Sequence, residues 1–370
     1  MKIGIDARMY STKFTGIGRY VYELIQNLQE IDKKNEYFIF LNDPEYKTYI
    51  PTNPNFHKIR VNARHYTLTE QLKFLRKLNK CKLDLVHFTH FNAPILYFKP
   101  SIVTIHDLTL SFYPGKKMTS VFHRIAYHLT IYCSIKKAKK IIAVSQNTKK
   151  DIEKLFKINS EKIKVIYEAA NKDFKPIKDQ KLLDHIKEKY DLDKPFLLYT
   201  GVWRDHKNIT GLLKGFHILQ QKYKFNGYLV ITGKEDPHYP EVKETVKTYN
   251  LQKHVKFTGL IPEQDLIALY NLAEIYVLPS FYEGFGLPIL EAFACNTPVA
   301  CSDSSSLPEI AGEQNAIFFD PKDHEDIAAK IHQILKDKSL RKTLKSRGQK
   351  RLTRFSWPKM AKETLEVYNS

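Results

Sequence analysis

Short apolar runs recur along the chain, each followed by a stretch with helical spacing. Lys2–Asp6, Tyr37–Leu41, Lys58–Val61, Leu85–Phe88, Ile102–His106, Lys140–Val144 and Lys164–Tyr167 have the length and the β-branched, aromatic content of strands. Between them, 18–28, 70–78, 121–138 and 146–156 place apolar residues at helical intervals. The alternation then restarts. Strands are predicted at Phe196–Thr200, Tyr228–Thr232, Val255–Thr258, Ile275–Leu278, Val299–Cys301 and Ala316–Phe319. Helices are predicted at 208–222, 240–250, 262–273, 288–294 and 323–336. Strand and helix in strict alternation, twice over, predict α/β architecture with two parallel sheets covered by helices. The polar stretch 171–194 between the two series reads as a linker and the first helix of the second domain. Near the end, Phe355-Ser356-Trp357-Pro358 interrupts a helical pattern, with Ser356 as N-cap and Pro358 in the first turn of a last helix. That helix is expected to pack back on the N-terminal domain. The expected division is therefore 1–172, 173–352 and a terminal helix 353–370.

A length of 370 residues suits two domains, each with its own core. The four cysteines (Cys81, Cys133, Cys295, Cys301) form no CxxC pair, which argues against a disulfide scaffold or a zinc site. Cys295 and Cys301 lie in apolar context and read as buried small hydrophobes. No apolar run approaches the roughly 20 residues of a membrane span, and the N-terminus reads as a strand rather than a signal peptide. A cytoplasmic protein is expected, able to sit peripherally on the inner face of the membrane.

Charge changes the picture. The net charge of +19 is uneven: residues 1–175 hold 31 Lys and Arg against 15 Asp and Glu, and residues 176–370 hold 28 against 25. A basic first half implies a polyanionic partner, such as anionic lipid, a phosphate-linked acceptor or nucleic acid. A general bias of the chain toward lysine would not explain why the halves differ. The segment 119–140 carries Phe122, Ile125, Leu129 and Tyr132 ahead of Lys136, Lys137, Lys139 and Lys140. It reads either as an ordinary core helix with a basic end or as a segment that meets an anionic membrane surface. A nucleic-acid-binding protein is the rival from another class; no recognisable nucleic-acid motif accompanies the charge.

Four stretches can carry chemistry. Thr15-Gly16-Ile17-Gly18-Arg19-Tyr20 follows a strand and opens a helix; its glycines either bring backbone N–H groups to a phosphate or form a flexible turn. His106 and Asp107 lie at the carboxyl end of a strand, the end that faces the ligand crevice in open α/β sheets. His106 reads as a hydrogen-bonding group for a sugar hydroxyl or carbonyl, or as a strand-end residue with a structural partner. Together with His87 and His90 it suggests a metal only weakly, since no carboxylate or cysteine joins them at ligand spacing, and no metal site is expected. Gly201 to Asn208 delivers Arg204 and Lys207 at the mouth of a helix, a diphosphate clamp if not simply a solvated basic turn. The stretch Pro279 to Ala292 places Glu283 and Glu291 on either side of a glycine turn, Gly284-Phe285-Gly286-Leu287, with Pro288 entering the next helix. A helix N-terminus favours phosphate, and a carboxylate beside it suits sugar hydroxyls. A paired-carboxylate glycosidase fits this stretch poorly, because such enzymes need no cationic clamp. Gly259 and Leu260, after another strand, would offer backbone groups to a nucleotide base. Asp303 to Glu309, after the next strand but one, either lines the crevice or is a plain polar loop.

Glu283-Gly284-Phe285-Gly286-Leu287-Pro288-Ile289-Leu290-Glu291 resembles the E-x7-E signature of retaining glycosyltransferases of family 4, with the GT-B fold. Gly16-Ile17-Gly18, Ile105-His106-Asp107, Ala143 to Thr148, Gly201 with His206-Lys207-Asn208, and Phe355-Ser356-Trp357 extend the resemblance over nearly the whole chain. It implies two Rossmann-like domains with parallel sheets facing across a cleft, the nucleotide sugar on the C-terminal domain and the acceptor on the N-terminal one. It assigns Glu283, Gly284, Phe285 and Gly286 to the donor hexose; Leu287, in the same turn, and Leu260, toward the base, count with them as donor-binding. Glu291 falls to the ribose, Arg204 and Lys207 to the diphosphate, Gly16 and Gly18 to phosphate or acceptor, and His106 to the transferred sugar. One departure stands out: many members have Arg-Lys-Asn where this chain has His206-Lys207-Asn208, with its arginine two residues earlier. The implied reaction is metal-independent transfer of a hexose, from GDP-mannose or otherwise a UDP-hexose, to a glycan or polyprenyl-linked acceptor in surface polysaccharide synthesis. A disaccharide phosphorylase or nucleotide-sugar epimerase of the same fold remains the nearer alternative.

Overall fold

The computed structural model describes residues 1–11, 16–63, 65–116 and 121–370. The described residues form two compact units. The first comprises Met1–Ser111, Met118–Glu168 and Ser356–Ser370; the second comprises Phe112–Lys117 and Ala169–Phe355.

The first unit is built on a sheet of β1 (Lys2–Asp6), β2 (Glu36–Leu41), β3 (Phe56–Arg60), β4 (Leu85–Phe88), β5 (Ser101–Ile105), β6 (Lys140–Ala143) and β7 (Ile163–Val165). All neighbours are parallel, in the order 3-2-1-4-5-6-7. Strands β4 and β5 are buried along their whole length, as a sheet covered on both faces requires. The first helix, Gly16–Ile31, buries Tyr20, Val21, Leu24, Ile25 and Leu28 at helical intervals. The terminal helix Trp357–Tyr368 lies against it. Ser356 caps that helix by accepting from the Lys359 N–H, and Pro358 occupies its first turn. Helix Val121–Lys137 sends only Tyr127, Ile131 and Ile135 into the core.

The second unit holds β8 (Phe196–Thr200), β9 (Tyr228–Thr232), β10 (Val255–Gly259), β11 (Ile275–Leu278), β12 (Val299–Ser302) and β13 (Ile317–Phe319), parallel in the order 10-9-8-11-12-13. Cys295 and Cys301 are buried in it.

In both sheets the order reverses between two central neighbours, β1 and β4 in one, β8 and β11 in the other. Helices leave to opposite faces at such a point, and a crevice opens outside the carboxyl ends of the two strands. Where the pattern predicted one helix over 70–78, the structure has a π-helical turn, Glu70–Phe74, running into an α-helix, Leu75–Lys80. No helix among the described residues is long and apolar enough to cross a membrane.

Candidate active site

In the second unit the candidate residues gather at the reversal point. The turn after β8 carries Arg204 and Lys207; the turn after β11 carries Glu283 to Gly286 and opens helix Leu287–Ala294. The two turns are sewn together. The Phe281 N–H donates to the His206 carbonyl at 2.7 Å. The Asn208 amide donates to the carbonyls of Pro279 at 3.1 Å and Pro321 at 2.7 Å. Asn208 adopts a left-handed conformation, φ 51°, which asparagine tolerates better than most residues.

Lys207 and Glu283 form the centre. Lys207 Nζ lies 2.7 Å from Glu283 Oε1, and the Ser280 hydroxyl donates to the same oxygen at 2.7 Å. Burial alone would raise the Glu283 carboxyl; the Lys207 charge and the hydrogen bonds from Lys207 and Ser280 outweigh it and hold the group below its ordinary value. The carboxylate is therefore ionised at neutral pH, with a cation against it. Glu283 is thus held as an acceptor of hydrogen bonds.

The glycine turn is held by serines. The Glu283 N–H donates to Ser305 Oγ at 3.0 Å. Ser306 Oγ donates to the carbonyls of Glu283 at 2.9 Å and Phe285 at 2.8 Å, and Ser304 Oγ to those of Ser280 and Phe281. The polar stretch after β12 is thus neither a crevice wall alone nor an idle loop. Its hydroxyls fix the carbonyls of 280–285, a role a serine run conveys only once the partner strand is known to be adjacent. Gly286, at φ 107°, makes the turn into the helix, and a Cβ there would sit 2.9 Å from Leu307 Cδ2. Phe285 is buried and packs its ring edge-on against Phe355, centroids 6.0 Å apart. Leu287 is half-buried at the helix start.

Glu291, one turn into the helix, accepts from the Tyr270 hydroxyl at 2.9 Å. Tyr270 in turn lies 3.2 Å from Thr200 Oγ1, which lies 3.1 Å from the Tyr276 hydroxyl. Burial, and then the Glu291 charge, push the Tyr270 phenol up, so it remains a donor that aims the carboxylate. Glu283 and Glu291 have separate surroundings, one cationic and one phenolic. They do not form the coupled carboxylate pair of a glycosidase.

Arg204 has its own carboxylate partner. It pairs with buried Asp236, after β9, and donates to its own neighbour's carbonyl, Trp203 O, at 2.7 Å. The two cations of the turn thus engage different carboxylates, Arg204 that of Asp236 and Lys207 that of Glu283. Asp236 also receives the His238 ring at 2.7 Å. Leu260 follows β10 and is largely exposed, with Gly259 at φ 67° before it.

In the first unit, Gly16 begins the first helix and is exposed, while Gly18 is buried within the first turn. Thr15, which opens the same motif, lies outside the described residues. His106 is held on both sides. Its Nε2 donates to the Thr89 carbonyl at 2.9 Å, and its Nδ1 lies 2.9 Å from Glu168 Oε1. Its neighbours are separately engaged. His87 bonds Thr104 at 2.8 Å and the Tyr368 hydroxyl at 2.7 Å, and His90 accepts from the Asn92 N–H. No cluster of three metal-ligating side chains occurs among the described residues. A constellation that local pattern did not reveal sits at the end of β1. Buried Arg8 reaches Asp6 at 2.8 Å and Glu70 at 2.5 Å, and the Asn92 amide closes on Glu70. Burial opposes the Arg8 charge, and the two carboxylates raise its pKa over that opposition.

Comparison with known proteins decides the family. The model for "Glycosyl transferases group 1" matches residues 181–351, and that for "Glycosyltransferase Family 4" matches residues 14–174. O-antigen chain mannosyltransferase RfbU of Salmonella typhimurium is 31% identical over 269 residues, covering 73% of this chain and 69% of that one. The chain belongs to the group 1 glycosyltransferases. O-antigen chain mannosyltransferase B of Escherichia coli is similar end to end, 29% identical over 384 residues, with 100% of this chain and 99% of that protein covered. Sucrose-phosphate synthase from Thermosynechococcus elongatus has the same fold, with a TM-score of 0.80 at 22% identity, covering 100% of this chain and 98% of that one. The two parallel α/β units are those of the GT-B fold.

Proposed function

We propose that this glycosyltransferase moves a hexose from a nucleoside-diphosphate sugar to a glycan or polyprenyl-linked acceptor, with retention of configuration, in the synthesis of a surface polysaccharide. Mannose carried by GDP is the leading donor and a UDP-hexose the second. The observation that carries the reading is the Lys207–Glu283 pair beside a glycine-opened helix start, at the reversal point of the second sheet. Lys207 supplies a point charge to the diphosphate, and the N–H groups at the helix start add their partial charge. Glu283 accepts from hexose hydroxyls, and Glu291, aimed by Tyr270, accepts from the ribose. Arg204 contributes once its pairing with Asp236 loosens. The acceptor belongs to the first unit, with His106 offered to the transferred sugar.

In this reading the bond from C1 to the diphosphate oxygen breaks and the bond from the acceptor oxygen to C1 forms on the same face. The acceptor proton goes to the departing phosphate oxygen. This fits a site whose carboxylates are already committed to a cation and a phenol. Charge developing on the leaving group is met by Lys207 and the helix start, and the reaction is proposed to run without a divalent metal. The two O-antigen chain mannosyltransferases named above support the mannose lean.

The test is a thermal-shift and calorimetry panel of GDP-mannose, UDP-glucose, GDP and UDP, each with and without a chelator. GDP-mannose is expected to stabilise the protein most, and the chelator to leave the shift unchanged. No stabilisation by any nucleotide would overturn the donor site. Glu291→Ala is expected to weaken nucleotide affinity by about tenfold to a hundredfold, the size of one or two charge-assisted hydrogen bonds, and unchanged affinity would remove the ribose role.

A further inference from the structure

Helix Val121–Lys137 has two apolar sides. Tyr127, Ile131 and Ile135, spaced by four, face the core of the first unit. Phe122, Ile125, Leu129 and Tyr132, spaced by three and four, fall on one line along the opposite side. These four are 82%, 58%, 50% and 50% exposed. Core packing explains the first stripe and leaves the second in water. Isolated exposed apolar residues are ordinary; four on one helix face are a surface. Leu96 and Phe98, also largely exposed, extend it. Lys137 joins them to the helix: its ammonium donates to the Ile95 carbonyl and lies 3.9 Å from the Phe98 ring centre.

The charge along this segment has one sign. From residue 118 to residue 150 the sequence holds seven Lys and Arg and no Asp or Glu. Lys136, which lies over the Tyr132 ring, and Lys137 are exposed at the end of the stripe. An apolar line on a segment whose only formal charges are cationic selects among occupants. A second copy would set lysine against lysine across a two-fold axis. Nucleic acid would leave Phe122, Ile125 and Leu129 in contact with phosphates. The face of a bilayer rich in anionic phospholipid accepts both features, aliphatic and aromatic side chains at the acyl boundary and ammonium groups among the headgroups.

We propose that this face of helix Val121–Lys137 docks the first unit on an anionic phospholipid membrane. The inference does not depend on the donor-site reading. It would bring a polyprenyl-linked acceptor, itself confined to the bilayer, to the unit proposed to receive it.

The test is co-sedimentation of the full chain with phosphatidylcholine vesicles, with and without phosphatidylglycerol, at low and high salt. Binding is expected only with phosphatidylglycerol, weakened by salt. Phe122→Ser with Ile125→Ser should lower the partition coefficient at least tenfold. Lys136→Gln should lower it by about fivefold, the effect of one cation at an anionic surface. Melting temperature and nucleotide affinity should be unchanged in each variant, since these side chains are exposed and lie outside the donor site. Equal binding to both vesicle types, or variants that bind as the native protein does, would overturn the proposal. So would a dimer in buffer that the Phe122→Ser, Ile125→Ser variant dissociates, which would give the face to self-association.

Discussion

Removing the Lys207 charge tests the centre of the donor site through stability, independently of any substrate. The side chains of Lys207 and Glu283 are 20% and 13% exposed. Lys207→Met keeps the apolar stem and leaves the Glu283 carboxylate buried with Ser280 as its hydrogen-bond donor. Breaking a fully buried pair costs about 3–5 kcal/mol; partial exposure of both partners brings the expectation to about 2 kcal/mol. Glu283→Gln is milder, about 1 kcal/mol, because the lysine can turn toward water. The double variant removes both charges and should cost about 1 kcal/mol less than the sum. For a unit of this size, 1 kcal/mol moves the melting temperature by roughly 2–4 °C. The pH dependence has a definite sign. In the native protein the Glu283 carboxyl is depressed, so its contribution is present above the unfolded value and is lost as pH falls through the folded one. Without Lys207, burial dominates and raises it, so the variant's deficit should shrink as pH falls from neutrality into the acid range. Melting curves of the four proteins between pH 4 and 8, read by calorimetry, supply both quantities. Additive single effects, or a deficit independent of pH, would refute a coupled pair at this site. Nucleotide affinity should stay low in the double variant even where stability returns.

Two further outcomes follow from single positions. Gly286→Ala places a Cβ at φ 107° and 2.9 Å from Leu307; a loss of about 2 kcal/mol is expected by thermal melting, and an unchanged melting temperature would mean the turn is relaxed. His87 is buried and held neutral, its pKa pushed down to about 3 by burial and then by His106. The unfolded ring takes up a proton below about 6.5 and the folded one does not, so stability falls as pH drops. Between pH 6.5 and 5 the native first unit should lose about 2 kcal/mol more than His87→Gln. Hydrogen exchange of β4 over that range would show it, and parallel slopes would contradict it.

The strands were legible because buried parallel strands are continuous apolar runs. β1, β4, β8, β9 and β11 fall where the pattern put them, to the residue. Strand ends then located the candidate residues, since a side chain that follows a central strand faces the crevice whatever its partners. What remained hidden was partnership across the sequence. Nothing local ties Ser304, Ser305 and Ser306 to the carbonyls of 280–285, or Arg204 to Asp236, because the contacts join turns after different strands. The π-helical turn at Glu70 was hidden for the same reason: Glu70 is turned inward to Arg8 and Asn92, and helical spacing alone cannot register that. In helix Val121–Lys137 the spacing left Phe122, Ile125, Leu129 and Tyr132 open between core and surface; burial puts Tyr127, Ile131 and Ile135 in the core and leaves those four exposed.

The first unit is not contiguous. Helix Trp357–Tyr368 buries Trp357, Met360, Ala361, Val367 and Tyr368, and its Tyr368 hydroxyl meets His87 in the middle of the first sheet. During synthesis the ribosome delivers β1 to β7 long before that helix, at a pace of about 5–20 residues each second. For the time taken to translate the intervening unit, Gly16–Ile31 waits without its neighbour and the His87 ring without its phenol. The second unit, complete before that helix is made, can close first. Helix Trp357–Tyr368 then acts as a folding checkpoint: until it docks, a finished second unit is joined to a first unit that has not locked.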